Sequence, residues 1–296
     1  MKFGRVDNPE LVDFSFPEDH PENRRVLQAS GFEGRPNIYV GCSKWTRADM
    51  KGFYPRGTKD ELTYYATQFN SIELNTTFYQ FYPTERFEIW KNKTPDHFRF
   101  FPKVNQTISH LKKLNQVGQY TEEFCHALAG LGEKLGSVFL QLHNDFGPNY
   151  WGRLEQFLRG FPQGVPLAVE VRQTDWLNDP AISNRYFELL EALQMATVIT
   201  DTPGRRDLVH MRLTAPWVMV RFVWGNHKSD YTRLDDWFDR IKLWSEHGIK
   251  DIYFFVHQDL DEAYPLLSSY FINRLNKELG HQLHVPTRQP TQTSLF

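Results

Sequence analysis

Eight short apolar segments recur along the chain from residue 37 onward, separated by longer segments, most of which have helical periodicity. This alternation is typical of βα units that build a parallel sheet, and eight parallel strands close into a barrel. The sequence therefore predicts a single α/β domain of the (β/α)8, or TIM barrel, class. The predicted strands are residues 38–41, 71–75, 98–103, 138–142, 167–171, 196–200, 218–222 and 252–256.

Capping residues indicate where several of the connecting helices begin and end. Thr58 and Glu61 have the spacing of a capping box, and Asp179 is placed as an N-cap. Gly248 and Gly280 stand where a glycine commonly ends a helix. The predicted helices that these residues delimit are 58–69, 180–194, 233–247 and 262–279.

The barrel pattern does not extend over the whole chain. Residues 1–36 are rich in Pro, Glu and Asn and lack a sustained period, which indicates an N-terminal extension that wraps the fold or stays mobile. Residues 37–280 form the predicted barrel domain. Pro, Thr and Gln dominate residues 281–296, so we expect a flexible C-terminal tail there.

The composition is that of a globular protein, with 40% hydrophobic residues, 24% charged residues and a net charge of −2. Non-specific nucleic-acid binding is not implied, although a local basic groove remains open. Cys42 and Cys125 lack the spacing of a disulfide framework or a zinc site. We find neither a signal-peptide core nor an apolar run near the ~20 residues of a membrane span, so we predict a cytoplasmic protein without a membrane partner.

Polar side chains stand at the ends of the predicted strands, where TIM barrels carry their active sites. Glu73 and Asn75 share one face of their strand, as do Glu170 and Arg172, because residues two apart point the same way. Buried charges are costly unless they are paired or used, so their convergence predicts a pocket. The other polar or aromatic candidates at or just beyond strand ends are Trp45, Thr77, Tyr79, Lys103, Gln141, His143, Asp201, Arg221, His257 and Gln258.

Each of these residues also has a purely structural interpretation. Glu170 and Arg172 could form an ion pair that only stabilises the barrel mouth, and His143 and His257 could be neutral, hydrogen-bonded histidines. A divalent metal is the one cofactor that the set could hold, but neither an HExxH motif nor a local cluster indicates it. The side chains that could supply oxygen and nitrogen ligands are Glu73, His143, Glu170, Asp201 and His257.

Several longer motifs resemble the YecE-like family, a TIM-barrel family of unknown function. They are GCSKW at 41–45, LTYYATQFNSIELNTTFY at 62–79, FRFFPKVNQTISH at 98–110, LAVEVR at 167–172 and VRFVWG at 220–225. The resemblance implies the barrel fold and no established activity. It also implies that the pocket is lined by Glu73, Asn75, Thr77, Tyr79, Lys103, His110, Gln141, Glu170, Arg172, Asp201 and Arg221. His257 and Gln258 depart from the family pattern, which usually has two Asn residues there.

The last five residues, QTSLF, resemble the pentapeptide with which bacterial proteins bind the sliding clamp of DNA replication. Leu295 and Phe296 would fill an apolar groove while the Gln292 amide bonds to its rim. Thr293 replaces the usual Leu, which should weaken binding. The alternative is a tail that ends in two apolar residues by chance, since short motifs often match without meaning.

The favoured hypothesis from these residues is a hydrolase that acts on a phosphate-bearing substrate, either a small molecule or damaged nucleic acid. Lys103, Arg172 and Arg221 would hold the phosphate. Glu170, with Glu73 or Asp201, would supply a general base and acid or hold a metal.

Two alternatives remain open. Paired carboxylates across an aromatic-walled barrel mouth would also suit a glycoside-hydrolase-like enzyme. A non-catalytic protein that binds a small anion would use the same pocket without turnover.

Overall fold

A computed structural model of the protein describes residues 4–257 and 265–287, and within them all eight predicted strands are confirmed. The strands are parallel, and neighbours in the sheet follow the order β3-β2-β1-β8-β7-β6-β5-β4. Parallel bridges from Phe100 to Leu135 and from Lys103 to Phe139 join the two ends. The predicted (β/α)8 barrel is therefore the fold. The strands are β1 (Asn37–Cys42), β2 (Ser71–Leu74), β3 (Arg99–Pro102), β4 (Val138–Gln141), β5 (Leu167–Glu170), β6 (Ala196–Asp201), β7 (Trp217–Val223) and β8 (Asp251–His257).

Helices occupy most of the connections. The Asp179 carboxylate accepts hydrogen bonds from the backbone N–H groups of Ala181 and Ile182, which confirms that residue as an N-cap. Gly280 follows its helix with a φ of 69°, a conformation that glycine adopts without strain. The helices are α1 (Asn23–Gln28), α2 (Glu61–Gln68), α3 (Thr76–Tyr79), α4 (Thr84–Asn92), α5 (Gly118–Leu128), α6 (Trp151–Arg159), α7 (Asp175–Asn178), α8 (Pro180–Ala192), α9 (Ser229–Glu246) and α10 (Leu266–Leu279).

The capping box predicted at the start of α2 is wrong. Asp60, which directly precedes the helix, accepts the hydrogen bond from the Thr63 N–H at 2.9 Å. The Thr58 hydroxyl instead donates to the Pro55 carbonyl at 2.9 Å, within the preceding turn. Asp60 directly precedes the first helical residue, so its carboxylate reaches the free N–H groups of the first turn. Thr58 lies two residues farther from the helix and does not reach them.

The alternation of side chains along each strand separates two cores. Residues on the outer face pack against the helices, whereas aromatic and small residues on the inner face fill the barrel itself. Phe101 and Phe255, for example, meet at a ring-centroid distance of 4.9 Å in the interior. This apolar plug closes the lower part of the barrel, so a pocket in the barrel can open only towards the carboxyl ends of the strands.

The segments that flank the barrel are packed against it. Asn23 is fully buried, where its amide donates to the Met211 carbonyl at 2.7 Å and its oxygen accepts from the Leu213 N–H at 2.8 Å. At the other end, Asn276 on α10 makes two hydrogen bonds with the backbone of Leu283. Residues 281–287, predicted to start the flexible tail, thus lie on the fold, and the rest of the predicted tail lies outside the described residues. In the described part of the chain, none of the helices has the length and apolar character to cross a membrane.

Candidate functional site

A layer of polar side chains lies directly above the apolar plug. All but Glu73 come two residues after a side chain of the plug, and Glu73 also lies on the inward face of its strand. The pleat of each strand therefore directs these side chains into the barrel. The layer comes from six different strands, which brings together residues that are far apart in sequence. Its members are Glu73, Lys103, Gln141, Glu170, Arg221 and His257.

Glu73 lies at the end of β2 and is completely buried. The Arg221 guanidinium donates to both of its oxygens, through Nε at 3.0 Å and through Nη2 at 2.9 Å. Asn75 donates to Oε1 at 2.8 Å, and His257 Nε2 lies 2.8 Å from Oε2. Because an ionised carboxylate can only accept, the proton of this last contact belongs to His257 Nε2.

Glu170, at the end of β5, is held in a similar way. Its Oε2 accepts from Gln141 Nε2 at 2.9 Å and from Arg221 Nη1 at 2.7 Å. Its Oε1 accepts from Arg172 Nε at 2.9 Å. Arg221 therefore bridges the two buried carboxylates of the layer, with one guanidinium in contact with both.

Both carboxylates are ionised at neutral pH. Burial by itself raises the pKa of Glu73 and of Glu170 and is the largest single influence, but the positive charge of Arg221, the neighbouring cations and the hydrogen bonds together outweigh it. With Arg172 and the Gln141 amide added, the pKa of Glu170 is lowered to about 2, and that of Glu73 is also well below its usual range. These side chains cannot donate a proton at neutral pH, and their oxygens are already occupied by donors.

Lys103 follows β3 and is 1% exposed. Its Nζ donates to Gln141 Oε1 at 2.7 Å and lies 4.1 Å from the centre of the Phe78 ring. Burial, and then the positive charges of Arg221 and Arg172, lower its pKa to about 7. A large fraction of this amine is consequently neutral at physiological pH, unlike an ordinary lysine.

A cavity of about 490 Å³ opens above the layer at the carboxyl ends of the strands. Lys103, Arg172 and Arg221 reach its surface, together with His257, whereas Glu73 and Glu170 do not. The cations thus form the floor of the cavity and the carboxylates lie beneath them. Predicted residues that also line the cavity are Trp45, Asn75 and Tyr79.

The structure corrects the expected position of Asp201. Ile199 and Asp201 share the outer face of β6, whereas Val198 faces the barrel interior. The Asp201 carboxylate accordingly meets Arg233 and Trp237 of α9, with the Trp237 Nε1 donating at 2.8 Å, and also pairs with Arg206. It is a structural anchor for α9 and does not join Glu73 and Glu170.

Other predicted residues lie beside the cavity or below it. Thr77 is buried and donates to the backbone carbonyls of Leu74 and Lys103, and Gln141 lies beneath the floor with the carboxylates. His110 and His143 form an edge-to-face pair with ring centroids 5.1 Å apart, outside the cavity lining. Gln258, Gln292, Leu295 and Phe296 lie outside the described residues.

Sequence reasoning missed part of the cavity wall. Trp224 lines the cavity directly after β7, within the VRFVWG motif, so an aromatic residue beyond a strand end was the available signal. Thr46 and Asp49, from the loop after β1, were also missed, whereas Ser43 and Lys44 belong to the GCSKW motif at the end of that strand. Among the residues that the structure describes, we find no group of three or more His, Cys, Asp or Glu side chains arranged to hold a metal ion.

Comparison with known sequences places this geometry in a family context. Residues 39–293 match the family described as "Protein of unknown function DUF72". The UPF0759 protein YecE of Escherichia coli K12 is 28% identical over 282 residues, which cover 88% of this chain and all of YecE. The UPF0759 protein YunF of Bacillus subtilis is 34% identical over 242 residues, covering 76% of this chain and 81% of YunF.

Solved structures show the same fold. A DUF72 family protein from Enterococcus faecalis matches with a TM-score of 0.65 at 19% identity, covering 84% of this chain and all of that one. Another from Thermotoga maritima matches with a TM-score of 0.64 at 23% identity, covering 81% of this chain and 99% of that one. At this level of identity the likeness concerns the fold.

The lowered pKa of Glu170 predicts a specific acid sensitivity. A carboxylate whose pKa is depressed on folding stabilises the protein above its unfolded pKa, near 4.5, and this stabilisation is lost as the pH falls towards about 2. We expect Glu170→Gln to remove about 3 kcal/mol of stability at pH 6 and much less at pH 2.5. Chemical denaturation of both proteins at each pH measures the difference.

Glu88→Gln, on the exposed surface of α4, is the matched control and should follow the wild type at both pH values. A stability difference between wild type and Glu170→Gln that stays constant from pH 6 to 2.5 would contradict the assigned ionisation of Glu170.

Proposed function

The chain belongs to the DUF72 family, whose function is unknown, and from its site geometry we propose that it binds a phosphate-bearing substrate in the barrel mouth. One observation carries this proposal. Lys103, Arg172 and Arg221 reach the cavity surface, while the two carboxylates that neutralise them lie underneath. A ligand that reaches the floor therefore meets positive groups, whereas the Asp49 carboxylate that also lines the cavity is paired with Lys44.

The charge balance of the site favours an anion. Three basic side chains stand against two carboxylates, which leaves at most one positive charge uncompensated, and Lys103 is only partly protonated because of its burial and the guanidiniums nearby. A phosphate on the floor would add the missing negative charge and raise the pKa of Lys103 only part of the way back, since burial still lowers it. Guanidiniums offer the planar donor pairs that suit phosphate oxygens.

We assign Glu73 and Glu170 a positioning role in place of the acid–base role that their sequence pattern suggested. Each is saturated with donors and lies below the cavity surface. The same facts give no support to a glycoside hydrolase, which needs one carboxyl with a raised pKa facing the sugar. Hydrolysis of a phosphate ester in this cavity would take its general base from Lys103, whose pKa of about 7 suits that task.

Binding of phosphate is the first test. Isothermal titration with inorganic phosphate and with glycerol 3-phosphate should give saturable binding, and glycerol alone should not bind. Arg172→Gln should weaken phosphate binding by at least tenfold, since a charge-assisted contact in a buried site contributes about 1.5–3 kcal/mol. Arg159→Gln removes the same charge from the exposed side of α6 and should bind like the wild type.

Equal binding by Arg172→Gln and wild type, with both folded by circular dichroism, would contradict the proposal. Phosphate binding without hydrolysis of any phosphate ester would favour the alternative of a non-catalytic protein that binds a small anion.

The C-terminal pentapeptide extends the proposal to nucleic acid. Recruitment to the sliding clamp, in the cytoplasm, would bring the cavity to phosphates of replicating DNA; its support is the QTSLF sequence alone. We expect the full chain to bind purified bacterial clamp with micromolar affinity and a chain that ends at Thr291 to lose this binding. Equal binding by the two forms, or none by either, would remove nucleic acid as the favoured source of the phosphate.

A further inference from the structure

We infer that Lys103 forms an imine with the carbonyl carbon of a phosphorylated aldehyde or ketone bound in the cavity. This inference rests on the proposed function, because the same floor must hold the phosphate. It adds a covalent step, a reacting atom and a class of substrate that phosphate binding alone does not require.

The placement of the Lys103 amine is the first argument. Lys103 lines the cavity although it is only 1% exposed, so we place its amine against a bound ligand and its stem in the barrel wall. The neutral Gln141 oxygen and the Phe78 ring hold it in place. In the described ranges 4–257 and 265–287, no carboxylate forms an ion pair with Nζ that would keep it protonated.

Two other lysines show what is particular about this one. Lys44 lines the same cavity, but its side chain is 48% exposed and pairs with Asp49 at 3.3 Å. Lys134 is nearly as buried as Lys103, but its Nζ donates to the backbone carbonyls of Lys91 and Thr94 outside the cavity. Lys103 combines burial, access to the cavity and a contact with a neutral acceptor.

The surrounding charges favour the neutral, nucleophilic amine. A lysine placed beside other cations in a desolvated site loses its proton more easily, which is how enzymes activate imine-forming lysines. Its lowered pKa, about 7, agrees with the geometry, and although a bound phosphate raises that pKa, burial keeps the neutral fraction above that of an ordinary lysine. The charged and titratable groups that act on Lys103 from the surrounding strands and loops are Arg221, Arg172, Glu170, Glu73 and His110.

The step balances without an oxidant or reductant. The nitrogen lone pair attacks the carbonyl carbon, and a proton moves from nitrogen to the former carbonyl oxygen to give a carbinolamine. The hydroxyl leaves with the remaining N–H proton as water, which forms the C=N bond, and the imine nitrogen then takes up a proton from solvent. The protonated imine then withdraws electrons from the neighbouring carbon, so that a C–H or C–C bond there can break.

The cavity sets the size and shape of the substrate. A space of about 490 Å³ accommodates a compound of sugar-phosphate size. The phosphate would lie on Arg172 and Arg221, with the carbonyl carbon at Lys103. Trp45 and Tyr79 would enclose the carbon chain from the open side.

Reductive trapping tests the inference on the full chain. The protein is incubated at pH 7 with glyceraldehyde 3-phosphate and sodium cyanoborohydride, and the modified lysines are mapped by peptide mass spectrometry. We expect Lys103 to be modified at least tenfold faster than Lys44, since ordinary lysines are almost entirely protonated at this pH. Unphosphorylated glyceraldehyde should label Lys103 at least tenfold more slowly than its phosphate ester.

The variants separate this inference from phosphate binding. Lys103→Met should abolish the fast labelling, and Lys277→Met, on the exposed side of α10, should leave it unchanged. Because Lys103→Met could fail to fold, the selectivity and pH profile of wild-type labelling, which should rise through pH 7, stand as an independent readout. If the protein binds phosphate but Lys103 is labelled no faster than Lys44, the imine is overturned and the proposed function stands. If neither phosphate binding nor selective labelling is seen, both the imine and the proposed function are overturned.

Discussion

The site depends on one guanidinium that lies between two buried carboxylates. Arg221 contacts both oxygens of Glu73 and one oxygen of Glu170 at 2.7–3.0 Å, and all three side chains are almost completely buried. Burying such charges is costly, and removal of one partner leaves an uncompensated charge in the barrel. The network is therefore stable only as a whole, with Asn75, Gln141, Arg172 and His257 supplying further donors to the two carboxylates.

The apolar plug explains why this network can exist in a barrel of this size. Aromatic side chains fill the interior below it and exclude water from that side, so the polar layer faces water only through the cavity. The long cationic side chains extend upward to the cavity surface, whereas the shorter carboxylates stay below. The positive and negative charges of the layer nearly balance, but the floor of the cavity is positive because lysine and arginine side chains are longer than those of glutamate.

The strand pattern predicted much of this arrangement from sequence. It placed all eight strands, and its two-residue period put Glu73 with Asn75 and Glu170 with Arg172 on inward faces. The same period, applied to Ile199 and Asp201, would have assigned that aspartate to the helices. How far each side chain lies below the cavity surface could not be predicted. That position follows from ion pairs such as Arg221 with Glu73, which join residues 148 positions apart in sequence. The N-cap of α2 was assigned wrongly because Thr58 and Asp60, two residues apart, could both accept a hydrogen bond from the free N–H groups of the helix.

The central claim is that Lys103 and its neighbouring guanidiniums face a bound anion. Calorimetric titration with sulfate, in buffers of different ionisation enthalpy, measures the protons taken up on binding. Sulfate itself does not titrate near pH 7, so uptake of a fraction of a proton is expected as the anion raises the pKa of Lys103 from about 7. Lys103→Met, if folded by circular dichroism, should show none. Sulfate binding without proton uptake by the wild type would contradict the account.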